Sequence, residues 1–382
     1  MKNSESIKWL VLFASFLSMF SFVFSMQSFP PILPYIVDEF GVGYGSASSL
    51  MWLVALPGIF LSILGGILSG RYGIKMLCLL GLSIVAGSSM LCAISNSYLL
   101  LQLGRLALGV GGALVVVSAP VPIFQWFDRK ELGLAMGLFG LTMPVATVLS
   151  FNVLSRVASI YSWRTPIFFA TAVNASILLI CFFAIKEKDR YAPGRAALRS
   201  LKNSNIWILG LIWGFFNMGV IGYTTWGKTI FTEFMGLPLT FSDFLASLLM
   251  LVALITPLGG FVSDRAERRR PFIQLSSLLM LGIFLVFPFS NQASYLLLAS
   301  ILGLSASFLA PAVFALPEEI LGVGKGGLGF AVLNTCLNIG VALGPMFVGY
   351  ALDLTRNSVL AFLTMAVFMF VTFILALVVK SR

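Results

Sequence analysis

Apolar residues fall in long runs separated by short polar breaks, and the runs are close to the roughly 20 residues that carry a helix across the hydrocarbon of a bilayer. They predict helices near 8–30, 44–69, 76–95, 98–123, 131–155, 164–185, 205–228, 241–263, 272–290, 294–315, 327–351 and 358–379. In lipid the backbone must satisfy its own hydrogen bonds, which a helix does within one segment. The expectation is an all-α membrane protein with twelve transmembrane helices. The first run, Trp9 to Met26, follows Lys2 and Lys8 as the core of a signal peptide would. It is long for that role and leads into further apolar runs, so it reads as the first span.

Composition strengthens this reading. Of 382 residues, 59% are hydrophobic and 10% charged, against roughly 25% charged in soluble proteins. The net charge of +10 raises the question of a nucleic-acid partner. The bases, however, sit in short loops between apolar runs, so they report topology and no nucleic acid is expected. With the N-terminus inside, the inner segments hold Lys2, Lys8, Arg71, Lys75, Arg129, Lys130, the basic stretch from Lys186 to Lys202, Arg265, Arg268, Arg269, Arg270, Lys325, Lys380 and Arg382. The outer ones keep Arg156, Arg164, Arg356 and Lys228, and Arg105 is left within a span. This asymmetry predicts a multi-pass protein of the cell (inner or plasma) membrane, with the bilayer as its partner and both termini cytoplasmic.

The longest polar stretch, 186–204, contains Pro193 and Gly194 and reads as a cytoplasmic linker between two six-helix bundles, 1–185 and 205–382. Internal repetition supports the division. Gly65-Gly66 recurs as Gly259-Gly260, Leu108-Gly109 as Leu302-Gly303 and Gly133-Leu134 as Gly327-Leu328, each time 194 residues later. An even number of spans per half makes the repeats parallel, with the bundles related by a pseudo-two-fold axis along the membrane normal.

Two loops and one span carry a family resemblance. The loop after the second helix reads Gly66-Ile67-Leu68-Ser69-Gly70-Arg71-Tyr72-Gly73-Ile74-Lys75, and its second copy Gly260-Phe261-Val262-Ser263-Asp264-Arg265-Ala266-Glu267-Arg268-Arg269. Both resemble the G-x-x-x-D-R-x-G-R-R loop of the major facilitator superfamily (MFS), with departures at Gly70 and Glu267. In that family the loop ties the halves together on the cytoplasmic side, which implies gating roles for Gly66, Arg71, Gly73, Lys75, Gly260, Asp264, Arg265, Arg268 and Arg269. The alternative is that these bases only anchor loops to anionic headgroups. The fourth span, with Gly104-Arg105 followed by Gly109, Gly111 and Gly112, is similar to the family's R-x-x-x-G-x-G run, and Gly340, Gly344, Pro345 and Gly349 resemble its eleventh-helix pattern. The glycines read as helix-packing positions. The resemblance implies the MFS fold, alternating access, and a cavity lined by helices 1, 4, 7 and 10.

Candidate pathway residues are the polar side chains inside spans: Arg105, Gln27, Asn217, Tyr223, Asn334 and Asn338, with Lys228 at the outer end of the seventh helix. A guanidinium inside a span costs about 2.5–3.5 kcal/mol to insert. Arg105 is therefore expected to face the cavity as a substrate or coupling group, or else to brace neighbouring helices. Lys228 reads either as a lysine snorkelling to the interface or, with Arg105, as a positive field that attracts a small anion. The acidic residues, Asp243 and Glu233 among them, are placed in loops or at span ends, so no carboxylate is expected in the pathway.

The chain has no histidine, and its four cysteines lie in apolar runs without metal-ligand spacing, so neither a metal nor another cofactor is expected. No nucleophile–base pair or phosphate loop points to an enzyme. The leading reading is a monomeric secondary or facilitative transporter of a small organic or inorganic anion. Efflux of amphipathic compounds is the alternative, and a non-transporting membrane sensor the reading from a different class.

Overall fold

The computed structural model describes residues 2–185, 203–265, 269–321 and 326–379, and every regular element among them is helical. Twelve helices are long and apolar enough to span a membrane: α1 Ile7–Phe40, α2 Tyr44–Leu61, α3 Ile74–Ala93, α4 Tyr98–Trp126, α5 Glu131–Ile160, α6 Arg164–Ala184, α7 Ser204–Phe234, α8 Leu239–Ser263, α9 Arg270–Phe289, α10 Gln292–Leu321, α11 Val332–Thr355 and α12 Ser358–Val378. All twelve predicted spans are present. Most of the expected linker lies outside the described residues.

The largest departure is in α1, where the expected end at residue 30 is a break. The helix runs from Lys2 to Gln27, passes through a single 3-10 turn at Pro30–Ile32 and resumes over Leu33–Phe40. Two successive prolines withdraw two backbone donors, so the α-helical ladder cannot run through them. The ring constraint on φ still suits the start of a new helical segment. α7 likewise runs past its expected end, through a π turn at Ile230–Phe234.

The chain divides into two compact units, one formed by Met1–Ile32 with Leu56–Gly194 and the other by Leu33–Ala55 with Arg195–Arg382. In the first, α3 and α4 form the most extensive helix pair. A Cβ added at Gly81 would lie 2.8 Å from the Gly111 carbonyl oxygen, and one at Gly111 would lie 2.8 Å from that of Gly81. Beside this contact a core of Ala14, Cys78, Leu82, Val115, Ile177 and Cys181 joins α1, α3, α4 and α6. At one end of the unit Lys8 of α1 pairs with Glu131 of α5 at 2.8 Å.

In the second unit α7 lies along α11 by the same device. A Cβ at Gly214 would come within 3.0 Å of the Cys336 carbonyl, and Gly340 faces the Gly214 carbonyl in return. Lipid tails give no hydrophobic incentive for helices to associate, so close van der Waals approach across small residues has to hold them. The end of α12 shows a second economy. Arg270 donates to the Leu377 carbonyl at 2.9 Å and Gln274 to that of Ala376 at 3.0 Å, which satisfies terminal acceptors that have no partner within their own helix. All four cysteines are buried free thiols.

Gly111→Val should force α3 and α4 apart and cost about 1–3 kcal/mol, the range for overpacked sites. Gly87→Ala, where an added Cβ meets nothing within 4 Å, should melt with the parent in detergent.

Candidate functional site

The first cluster grows out of the break in α1. In a helix the Met26 carbonyl would accept from the N–H four residues on, but that residue is Pro30, which has none. Arg105 of α4, fully buried, answers: its guanidinium donates to the Ser25 carbonyl at 3.0 Å and to the Met26 carbonyl at 3.4 Å. The same group lies 4.0 Å from the centroid of the Phe29 ring. A cation at the broken end of a helix also meets the negative pole of its dipole. The planar fork of arginine can address two neighbouring carbonyls at once. Arg105 thus braces α1 in this structure.

Around this contact lies a buried polar network. Asn174 of α6 accepts from the Ser21 hydroxyl at 2.8 Å and donates to Ser25 at 2.7 Å and to Ser89 at 3.1 Å. One residue beyond Met26, Gln27 donates to the Thr147 hydroxyl of α5 at 2.8 Å. Helices α1, α3, α4, α5 and α6 are therefore tied by polar contacts within four residues of the break.

The second cluster is at the end of α7. Lys228 and Asp243 are both buried, their side chains 2% and 8% exposed, with Nζ 3.7 Å from the carboxylate oxygen. The Lys228 ammonium also sits 5.3 Å from the centroid of the Tyr35 ring. Five residues along α7, Glu233 accepts a hydrogen bond from the Tyr44 hydroxyl. The backbone amides of Tyr44 and Gly45 each donate at 2.8 Å to Asp353 of α11, a carboxylate set at the start of a helix, where amides without intrahelical partners and the dipole both favour it. Ser48 and Trp226 each donate at 2.8 Å to the Pro345 carbonyl.

These positions correct two expectations. Asp243 and Glu233 do stand near span ends, but Asp243 is buried and paired, so a carboxylate does lie within the protein. Lys228 does not snorkel, because it is enclosed by α7, α8 and the end of α1, and Arg105 is accordingly not the sole base within a span. The signal for Asp243 was its place five residues into an apolar run that also begins with Leu-Thr-Phe.

Arg105 and Gln27 belong to the first unit, and Lys228, Tyr223, Asn217, Asn334 and Asn338 to the second. Tyr223 donates to the Leu245 carbonyl at 2.9 Å among the rings of Phe231, Phe284 and Phe287. Asn217 donates to the Trp213 carbonyl one turn earlier at 2.7 Å, and Asn338 to that of Asn334 at 2.8 Å. Of the loop residues, Gly73 has φ 83° at the start of α3, which favours glycine. Lys75 Nζ lies 5.6 Å from the Phe182 ring centroid, and Gly260 faces Pro311. Arg265 is exposed, while Arg269 pairs with Glu319 of α10 at 2.9 Å. Arg268 and the side chains of Arg71 and Asp264 lie outside the described residues, and nothing is described around Gly66. Sequence reasoning missed Asn174, although an asparagine in the middle of an apolar span is itself a signal.

Asn174→Ala should leave three buried serine hydroxyls short of a partner and destabilise by about 1–3 kcal/mol, read from thermal unfolding in detergent. Arg105→Leu should do at least as much, and Arg105→Lys should recover part of the loss, since one ammonium head replaces two coplanar donors.

Comparison with known proteins agrees with this architecture. The family model described as Major Facilitator Superfamily matches residues 13–298 and 229–382. A lysosomal dipeptide transporter of Danio rerio is 23% identical over 352 residues, covering 83% of this chain and 75% of that protein. A probable nitrate/nitrite antiporter of Thermus thermophilus is 27% identical over 252 residues, covering 62% of this chain and 56% of its own length. A probable sulfoacetate transporter of Cupriavidus necator is 22% identical over 362 residues, covering 86% and 84%. Among solved structures, a bacterial homologue of the human lysosomal transporter Spinster, in an inward-facing and unoccupied conformation, superposes with a TM-score of 0.80 at 16% identity over 97% of this chain and 96% of that one. Twelve apolar helices, the whole-length family match and this shared fold lead to one conclusion: the chain belongs to the Major Facilitator Superfamily and is a multi-pass membrane transporter.

Proposed function

We propose that the protein is a secondary transporter of a small organic or inorganic anion, working by alternating access between two six-helix halves, 1–185 and 205–382. The observation that supports the cargo is the balance of buried charge. Among the described residues the buried charged side chains are Arg105, Lys228 and Asp243, two bases against one acid. A charge inside a span is costly enough that its presence marks a pathway or a brace. An interior that is net positive favours a cargo of opposite sign. The names of two relatives point the same way, one to nitrate and nitrite and one to sulfoacetate.

In this reading Gln27, Asn217, Asn334 and Asn338 supply neutral polar lining, and the loops around Arg71 and Arg265 act as cytoplasmic gates. Both termini face the cytoplasm, the protein resides in the cell membrane, and one chain is the working unit. Fold by itself does not select a cargo, so the anion is a matter for measurement.

The test is thermal unfolding of the purified protein with nitrate, sulfoacetate, a dipeptide and an amphipathic drug in turn. A ligand at about 100 times its dissociation constant should stabilise by about 2.7 kcal/mol if it binds the folded state alone. We expect that response from an anion. Stabilisation by the amphipathic drug and none by the anions would replace this cargo with an exported amphiphile.

A further inference from the structure

We propose that Leu33–Ala55 is a hinged strap and that Asp353 of α11 is its catch, so that release of the Tyr44 and Gly45 amides from this carboxylate opens the outer gate. The inference rests on the alternating-access reading and the orientation proposed above, and names the residues that hold the outer side closed.

Both ends of this segment are places where a helix is weakened. At the first, the 3-10 turn of Pro30–Ile32 interrupts α1 just before the chain enters the second unit. At the other, the chain leaves that unit after Ala55, and Pro57 follows inside α2. Pro57 has no N–H for the Leu53 carbonyl, which removes a rung of the ladder and favours a bend there. Between these points the chain is helical over Leu33–Phe40 and again from Tyr44. A largely helical piece between two proline sites can turn as a body, with the sites as hinges.

The grip on this piece is largely polar. Asp353 accepts from both amides at 2.8 Å, Glu233 accepts from the Tyr44 hydroxyl, and Ser48 donates to the Pro345 carbonyl at 2.8 Å. Glycine permits the fit: a Cβ at Gly45 would lie 2.5 Å from the Tyr350 ring, and one at Gly349 would lie 2.7 Å from the Tyr44 carbonyl oxygen. Asp353 is half-buried and Glu233 exposed, so water can replace these bonds at the end of a span and the net cost of letting go is modest. The catch also carries strain. Arg356, at the end of α11, has φ 49°, the single non-glycine residue at positive φ among the described residues, and its guanidinium lies 5.6 Å from the Tyr44 ring centroid. Side chains held in that region are strained and cluster at switch segments. Held, the strap lays the Tyr35 ring 5.3 Å from the Lys228 ammonium and sets the Tyr44 ring edge-on to Trp226 at 5.5 Å, both buried side chains of α7. Released, it uncovers this end of α7.

Two measurements on the full chain in lipid vesicles test the strap. In the first, spin labels on Val42→Cys, within the strap, and Ala293→Cys, exposed at the start of α10, report a distance, the four native thiols being buried. Two populations, held and released, are expected. Asp353→Asn, which keeps the size of the side chain but sets an NH2 group against one amide, should raise the released-to-held ratio by at least about tenfold, the worth of one hydrogen bond to a charged group. Arg356→Gly should raise it as well while melting no lower than the parent, because glycine adopts this φ without strain. That separates a loosened catch from a loosened fold. A distance distribution that Asp353→Asn leaves in place would overturn the catch, whatever the cargo. In the second, Gly43→Cys and Asp353→Cys are joined, since a Cβ at Gly43 lies 3.2 Å from the Asp353 Cγ, within reach of a disulfide. Oxidised, this variant should lose uptake of nitrate and sulfoacetate, and reduction should restore it. Where the parent carries either probe, uptake by the variant that is equal before and after reduction would overturn the gate. A parent that carries neither would overturn the anion reading instead, and the distance measurement would still decide the strap.

Discussion

A carbonyl without a donor cannot be left in hydrocarbon, and much of the first unit follows from one that proline leaves open. Pro30 breaks α1 and takes away the partner of the Met26 carbonyl, and Arg105 reaches from α4 to replace it. The charge that would otherwise be prohibitive within a span is compensated by two carbonyls, an aromatic face and the end of a helix dipole. Ser25, whose carbonyl takes one arm of the guanidinium, accepts the Asn174 amide on its hydroxyl oxygen, and Asn174 binds Ser21 and Ser89 in turn. The break in α1 and the polar network around it are one construction.

Buried polar groups play a different part in the second unit. There the close contacts of α7 with α11 are made by glycine against backbone, and polar side chains collect near the end of α7, where Lys228, Asp243 and Glu233 lie within sixteen positions of sequence. Buried charges held by backbone and buried charges held by another ionisable side chain look alike in a list of buried residues. What separates them is whether the partner is a backbone acceptor or a titratable group, and on that criterion Arg105 and Lys228 fall on opposite sides.

The span pattern and the glycine contacts were legible because each follows from a constraint that acts on every membrane helix. Hydrophobic length predicts where a helix lies, but not whether two prolines end it or merely interrupt it. The first span is expected to end near residue 30, although the proline pair there also suits the first turn of a renewed helix. The burial of Asp243 was hidden for a related reason. An acid near the edge of an apolar run is ordinarily at the interface, and only the fold brings Lys228 against it. Tyr223 and Asn217 show what polarity alone leaves open. As isolated polar residues in spans they stand out in the sequence, but nothing in the hydropathy pattern says that their hydrogen bonds go to the carbonyls of Leu245 and Trp213. Asn174 needed no structure to be noticed, only a reading that treated every amide in a span alike.

The excursion of Leu33–Ala55 into the second unit changes what a half of this protein is. The chain passes from one unit to the other after Ile32, after Ala55 and after Gly194, so the units share three peptide crossings. An exchange of halves between relatives at the central polar stretch would therefore not exchange whole units. The chimaera would carry a foreign piece of chain in its second unit, asking the Tyr44 and Gly45 amides of one parent to meet the residue at position 353 of the other. Compatibility between parents would be decided at that carboxylate, far along the sequence from the junction where the two genes were joined.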